Sequence, residues 1–278
     1  MPELARIVFA ALAAARVAIL SLQPDRDHVG DRQGGWTHEV IEIFQSPGGR
    51  RALRVPVMDW RTWHDQYDRP GSWMARRLQA VQTQIRAALD GSPSGPLRVV
   101  SLCAGQGRDL LEVLADHPRR DEVRARLVEL DPRNTALAEE GARAAGLQQV
   151  EVVTADASLT DHYLGMVPAD LVLVCGVFGN ITDADIERTA EACSRLCRTG
   201  GTVIWTRHRG APDMVPLICE WFETRGFERQ WLSERDAGFG VGAHRFTGEP
   251  RPLVPSMHLF SFVGYDVLRQ ANVQAGDA

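Results

Sequence analysis

The chain contains no lysine. All 31 basic residues among its 278 are arginine, which removes Schiff-base lysine chemistry, the Walker A phosphate clamp and the Tyr-x-x-x-Lys pair of hydroxyl dehydrogenation. Cysteine is sparse as well. The five at positions 103, 175, 193, 197 and 219 form no Cys-x-x-Cys pair, so neither a structural zinc site nor any other metal centre is expected. No run reaches the roughly 20 uncharged apolar residues that span a bilayer. The apolar stretch Ile7 to Ala15 is short, carries only Arg6 ahead of it and is broken by Arg16, which is a poor match to a signal peptide. These absences predict a cytoplasmic chain with reduced thiols and no membrane segment.

Charge narrows the partners further. A net charge of −5 and a pI near 5.9 give no general affinity for nucleic acid. The balance is uneven: 13 Arg face 10 acidic residues up to position 98, and 18 face 26 beyond it. The basic front reads as a scattered solvated surface, with orientation of an anionic substrate as the alternative.

Against these absences stands one informative stretch. Leu97 to Leu102 is an apolar run that breaks into Cys103-Ala104-Gly105-Gln106-Gly107 and continues as Arg108-Asp109-Leu110-Leu111. This is the pattern of strand, tight turn and helix, with glycines where a ligand approaches the backbone and free helix N–H groups beyond them. One βα unit later a second buried strand, Ala125 to Leu130, ends on Glu129, 22 residues after Gly107. An acid at that place accepts both hydroxyls of a ribose, so turn and acid together point to a nucleoside cofactor. The third glycine of a dinucleotide fingerprint is missing, because Leu110 occupies its position.

The stretch resembles motif I of the class I S-adenosylmethionine (SAM)-dependent methyltransferases, hydrophobic-Asp-Leu-Gly-Cys-Gly-x-Gly, with Ser101, Cys103 and Ala104 in place of Asp, Gly and Cys. The resemblance continues over about 150 residues. It implies that Cys103, Ala104, Gly105 and Gly107 cradle SAM, that Glu129 and Leu130 meet its ribose and adenine side, and that Asp156 and Ala157, after the strand Val150 to Ala155, meet the adenine amino group. A central strand, Ala169 to Cys175, then leads to Gly176, also expected at the cofactor. The helix Asp183 to Leu196, the strand Thr202 to Thr206 and a helix from about Asp213 to Arg225 follow. Three apolar-alternating segments, Phe227 to Leu232, Phe239 to Phe246 and Met257 to Val263, close the pattern and suggest a final antiparallel hairpin. The implied fold is α/β: a seven-stranded, mostly parallel, doubly wound sheet with an N-terminal helical and β-hairpin extension. Residues 1–92 are assigned to the extension and 93–278 to the SAM-binding domain.

Within the extension, residues 23–35 read as a linker, and Thr37 to Phe44 with Arg50 to Val57 as a β-hairpin. The segment Asp59 to Pro70 gathers Trp60, Trp63, His64 and Tyr67 ahead of Ser72, a helix cap, and a helix from Trp73 to about Leu89. Resemblance suggests Tyr67 or Arg77 at the methionine carboxylate and His64 or Trp63 at the acceptor. Packing of the extension is the alternative for the tryptophans. His64, His208 and Asp213 are the candidate general bases, with a solvated loop histidine as the alternative for His208, and an unperturbed histidine titrates near pH 6.5. The lack of lysine excludes the Lys-Asp-Lys-Glu tetrad of one RNA 2′-O-methyltransferase family. Gly176-Val177-Phe178-Gly179-Asn180 differs from the Asn/Asp-Pro-Pro-Tyr signature of amino-directed nucleic-acid enzymes. The sequence therefore reads as a SAM-dependent methyltransferase acting on oxygen, nitrogen or carbon of a small molecule, with homodimerisation left open. A non-catalytic SAM-binding protein and, more remotely, an NAD(P)-binding oxidoreductase are the alternatives.

Overall fold

The computed structural model describes residues 36–46, 49–58, 65–69 and 71–264. Two compact units divide between Gln66 and Tyr67. In the first, β1 (Trp36–Ser46) and β2 (Gly49–Met58) pair antiparallel, Ser46 opposite Gly49, as the alternating pattern predicts. Trp60, Trp63, His64 and residues 1–35 lie outside the described residues.

The second unit begins with a single 3-10 turn ending at Asp68 and with α1 (Trp73–Asp90). Ser72 caps α1 by accepting a hydrogen bond from the Ala75 N–H (3.0 Å). Met74, Arg77, Val81, Ile85 and Leu89 recur every three or four residues and form its buried face. β3 (Leu97–Leu102), α2 (Arg108–Asp116), β4 (Val123–Glu129), α3 (Pro132–Ala144) and β5 (Val150–Thr154) follow as successive βα units. The chain then forms β6 (Ala169–Val174), α4 (Asp183–Leu196), β7 (Cys197–His208), α5 (Val215–Glu223), β8 (Phe227–Leu232) and β9 (Phe239–Phe246).

The sheet order is β5-β4-β3-β6-β7-β9-β8. β3 to β7 are parallel, and β9 runs antiparallel to both β7 and β8. β6 is buried along its whole length, as a central strand covered on both faces must be. One core holds α1, α2 and α3 against the sheet. The other holds α4 and α5 around Trp205, Phe178 and Phe222. Cys193 on α4, Cys197 at the start of β7 and Cys219 on α5 are buried free thiols. Among the described residues there is no cluster suited to a metal ion, and no described helix is long and apolar enough to cross a membrane. Strand order reverses between β3 and β6, so the crevice beyond their carboxyl ends is the topological switch point where ligands bind in such sheets.

Two expectations need correction. The fifth parallel strand is longer than Thr202 to Thr206, because the backbone turns at Gly200 and Gly201 without leaving the sheet. A Cβ at Gly201 would come within 2.7 Å of the Ala169 carbonyl, so only glycine lets the strands approach there. Met257 to Val263 is not a strand: the hairpin is β8 with β9, and this segment forms only an isolated bridge between His258 and Leu159. It runs instead as a strap joined to the sheet's loops by single hydrogen bonds: Thr160 N–H to the Met257 carbonyl, Leu259 N–H to the Ser158 carbonyl and Val263 N–H to the Asn180 carbonyl.

Candidate active site

The crevice is built first from backbone. Cys103 adopts φ +51°, a left-handed conformation uncommon for a side-chain-bearing residue. It stands at the position where the resembled motif has glycine, and the geometry explains that glycine. Cys103→Gly is therefore expected to keep the turn. Cys103→Val, whose branched side chain tolerates positive φ worst, is expected to unfold about 1–2 kcal/mol more easily than the glycine variant in urea titration. The Ala104 N–H donates to the Val128 carbonyl and the Gly107 N–H to the Ala104 carbonyl (3.0 and 2.9 Å), which closes the turn.

The two glycines do different work. Gly107, at φ +68°, has no room for a Cβ, which would lie 2.7 Å from Leu127 Cδ2 and 2.9 Å from Leu111 Cδ1. Its smallness serves the packing of α2 on β4. The expectation that both glycines clear space for a ligand thus holds no place for Gly107, whose missing side chain points into the core. Gly105 is the one tied to the acid: its N–H donates to Glu129 Oε2 at 2.9 Å, while Oε1 accepts from the Asp131 N–H at 2.9 Å. A carboxylate has about four acceptor sites, so Glu129 retains two after these bonds. Leu130 beside it is 67% exposed at the crevice edge.

Beyond β5, Asp156 is exposed and accepts a hydrogen bond from the Ser158 N–H at Oδ1 (2.9 Å). Ala157 is buried, and its carbonyl accepts from the Tyr163 hydroxyl (2.6 Å). After β6, the Gly176 N–H donates to Thr206 Oγ1 and its carbonyl accepts from Asn180 Nδ2, both at 2.8 Å, so β7 and Asn180 hold this loop from two sides. Gly176 has φ +78° and open space where a Cβ would stand.

At the opposite wall, Arg77 Nη2 donates to the Tyr67 hydroxyl (2.7 Å), and the guanidinium lies 5.2 Å from the Trp73 ring. Arg108 holds the preceding turn through two bonds to Asp68 (2.6 and 3.0 Å). Burial raises the Tyr67 phenol above its usual range despite the neighbouring Arg77. The wall also contains Asp109, which the sequence reading did not single out. Its carboxylate accepts from the Leu110 N–H (2.8 Å), and burial pushes its pKa up to about 6. The signal was available as an acid in the first turn after a two-glycine loop. Burial likewise raises the Cys103 and Cys175 thiols, with Glu129 acting further on the first and Asp109 on the second. Both are neutral lining groups.

His208 differs from a free imidazole. Its Nδ1 accepts the Gly210 N–H (3.0 Å), which puts the proton of the neutral ring on Nε2. Burial, helped by Arg207, lowers its pKa to about 4. At neutral pH it is an uncharged donor, and any titration of its own lies near pH 4, below the 6.5 expected from sequence.

Residues 99–201, which contain the turn, Glu129, Asp156 and Gly176, match the family model described as a methyltransferase domain. This part of the chain is a methyltransferase domain, and its fold is that of the class I SAM-dependent methyltransferases. The fold agrees. A magnesium protoporphyrin IX methyltransferase from Synechocystis PCC 6803, solved with bound SAM, is 12% identical with TM-score 0.52, covering 68% of this chain and 91% of that one. An O-methyltransferase family protein from Burkholderia thailandensis is 15% identical with TM-score 0.52, over 68% and 60% of the two chains. The CurJ carbon methyltransferase is 14% identical with TM-score 0.53, over 68% and 58%. The chain thus spans about three fifths of the last two structures. No curated protein matches its sequence. The residues present fit SAM: a backbone turn at the switch point, an acid retaining acceptor sites at the end of β4, and a buried arginine on the facing wall.

Proposed function

We propose that this methyltransferase acts on a small molecule bound beside the carboxyl ends of β6 and β7. The observation that carries the reading is a cleft of about 450 Å³, lined by Trp73, Arg76, His208 and the Asp236–Gly238 turn. That size suits a metabolite, and the net charge of −5 suits no polyanion.

In this reading Cys103, Ala104 and Gly105 carry the methionine portion of SAM on their backbone, Glu129 accepts the ribose hydroxyls, Leu130 lies against the adenine, and Asp156 with Ala157 takes the adenine amino edge. Gly107 supports the turn from below. Arg77, steadied by Tyr67, takes the carboxylate, and Gly176 leaves room beside it. The bound group supplies an electrophilic methyl on a sulfonium. The protein's part is alignment and exclusion of water, with proximity providing much of the rate. His208 serves as a neutral hydrogen-bond donor at the acceptor. His64 remains the proposed base where an acceptor must lose a proton.

Calorimetry with SAM and S-adenosylhomocysteine, followed by transfer of labelled methyl to a metabolite extract, tests this reading. Label in the low-mass fraction is the expected result. Label confined to macromolecules, or no heat with either ligand, overturns it.

A further inference from the structure

The cleft that carries the proposed function has a particular chemistry. Trp73 is 42% exposed, the largest aromatic surface on its lining. Arg76, one residue before the stack of Arg77 on Trp73, is exposed and pairs with no carboxylate among the described residues. Gly210 and Gly238 leave the opposite rim open to a flat ligand.

The cleft also borders the cofactor crevice. Trp73 stacks on Arg77, which bonds Tyr67. His208 Cδ2 lies 3.6 Å from the Cβ position of Gly179, on the loop that starts at Gly176.

Among the described residues, the charged and titratable groups around the cleft are Arg76 and Arg77 from α1, Asp109 on the adjoining wall, Arg207, His208, Arg209 and Asp213 from the end of β7, and Arg235 and Asp236 from the turn before β9. Cations outnumber carboxylates, and the His208 Nδ1 lone pair is already used by Gly210. None of these described groups is a strong base, as an aliphatic alcohol would need. An ammonium would meet Arg76. A hydroxyl on an aromatic ring needs only a cation to favour its anion.

We propose that the cleft takes the methyl acceptor as a phenol, with the ring against the Trp73 indole and the oxygen held as phenolate by the Arg76 guanidinium. This rests on the small-molecule reading above. The phenol's proton passes to solvent water. The oxygen lone pair then forms the new O–CH₃ bond as the methyl–sulfur bond breaks, and the sulfur keeps that electron pair in S-adenosylhomocysteine.

The test reads the bound oxygen directly. 4-Nitrophenol is titrated by its phenolate absorbance, free and in the presence of the full chain saturated with S-adenosylhomocysteine. The expected result is a bound pKa lower than the free one by about 1–3 units, the range for an adjacent opposite charge. Arg76→Ala should abolish the shift and Arg76→Lys should restore most of it, while S-adenosylhomocysteine affinity by calorimetry changes less than about twofold. The same series in a methyl-transfer assay with several phenols should show a pH limb that moves with each phenol's own pKa.

Absence of 4-nitrophenol binding, an unshifted or raised pKa, or a shift that survives in Arg76→Ala overturns the phenol assignment. If labelled methyl still reaches other small molecules, that failure leaves the broader reading intact. Failure of wild-type protein to bind S-adenosylhomocysteine overturns both.

Discussion

Glu129→Ala is expected to weaken SAM binding by about 1.5–3 kcal/mol, a factor of 10 to 150, while the protein remains folded. The side chain sits where it can act on the cofactor in two ways. It retains acceptor sites for the ribose, and it receives the Gly105 N–H (2.9 Å), so its loss also releases the turn that carries the methionine portion. Glu129→Gln separates these effects in part, because the amide oxygen can still receive the Gly105 N–H while the Asp131 N–H bond and charge-assisted acceptance from the ribose are lost. Its affinity should fall between wild type and Glu129→Ala. Circular dichroism establishes folding and calorimetry measures binding. SAM affinity within twofold of wild type in Glu129→Ala would remove this residue from the site.

The second large effect concerns acid stability. His244 on β9 is fully buried between Trp205 and Phe222 (ring centroids 6.0 and 5.1 Å), and its Nδ1 accepts the Trp205 indole N–H at 3.1 Å. Burial first, and Arg229 second, lower its pKa to about 4. Above pH 6.5 both folded and unfolded chains hold a neutral imidazole, so the group adds no pH dependence. Between pH 6.5 and about 4 the unfolded chain takes a proton that the folded one refuses. Stability therefore falls through that window, by about 3 kcal/mol in all, and levels off below it. His208 shifts in the same direction with less weight, being half exposed. Asp109 opposes them, because its pKa is raised to about 6 and the folded state gains its proton first. Urea unfolding of wild type and His244→Asn at several pH values isolates His244: asparagine keeps an acceptor for the indole and does not titrate. The difference between the two proteins should grow steadily from pH 6.5 to 4, and a difference independent of pH would refute the assignment.

The sheet was legible because each strand declares itself within a few residues. Leu97–Leu102, Ala169–Val174 and Phe239–Phe246 are apolar runs bounded by turn residues, and the two-glycine turn with Glu129 one unit later carries the cofactor type. Order in the sheet then follows from right-handed crossovers and leaves few alternatives. The segment Met257 to Val263 shows where such reading fails. Its alternation is that of a strand, but its backbone groups bond to the loops at Ser158–Thr160 and Asn180 and build no ladder with the sheet.

Local sequence determined the elements, the switch point and the residues at its rim, because periodicity and turn chemistry act over short stretches. Only tertiary structure decided what those residues are chemically. The Gly105 N–H meets Glu129 across 24 residues and the Trp205 indole meets His244 across 39. His208 lies two residues from its Gly210 partner in sequence, yet its proton affinity depends on burial supplied by the rest of the fold. Asp109 is an ordinary helix-start acid until packing removes its water. Desolvation depends on every neighbour at once, so it is absent from any single stretch of chain and appears only when the fold brings those neighbours together.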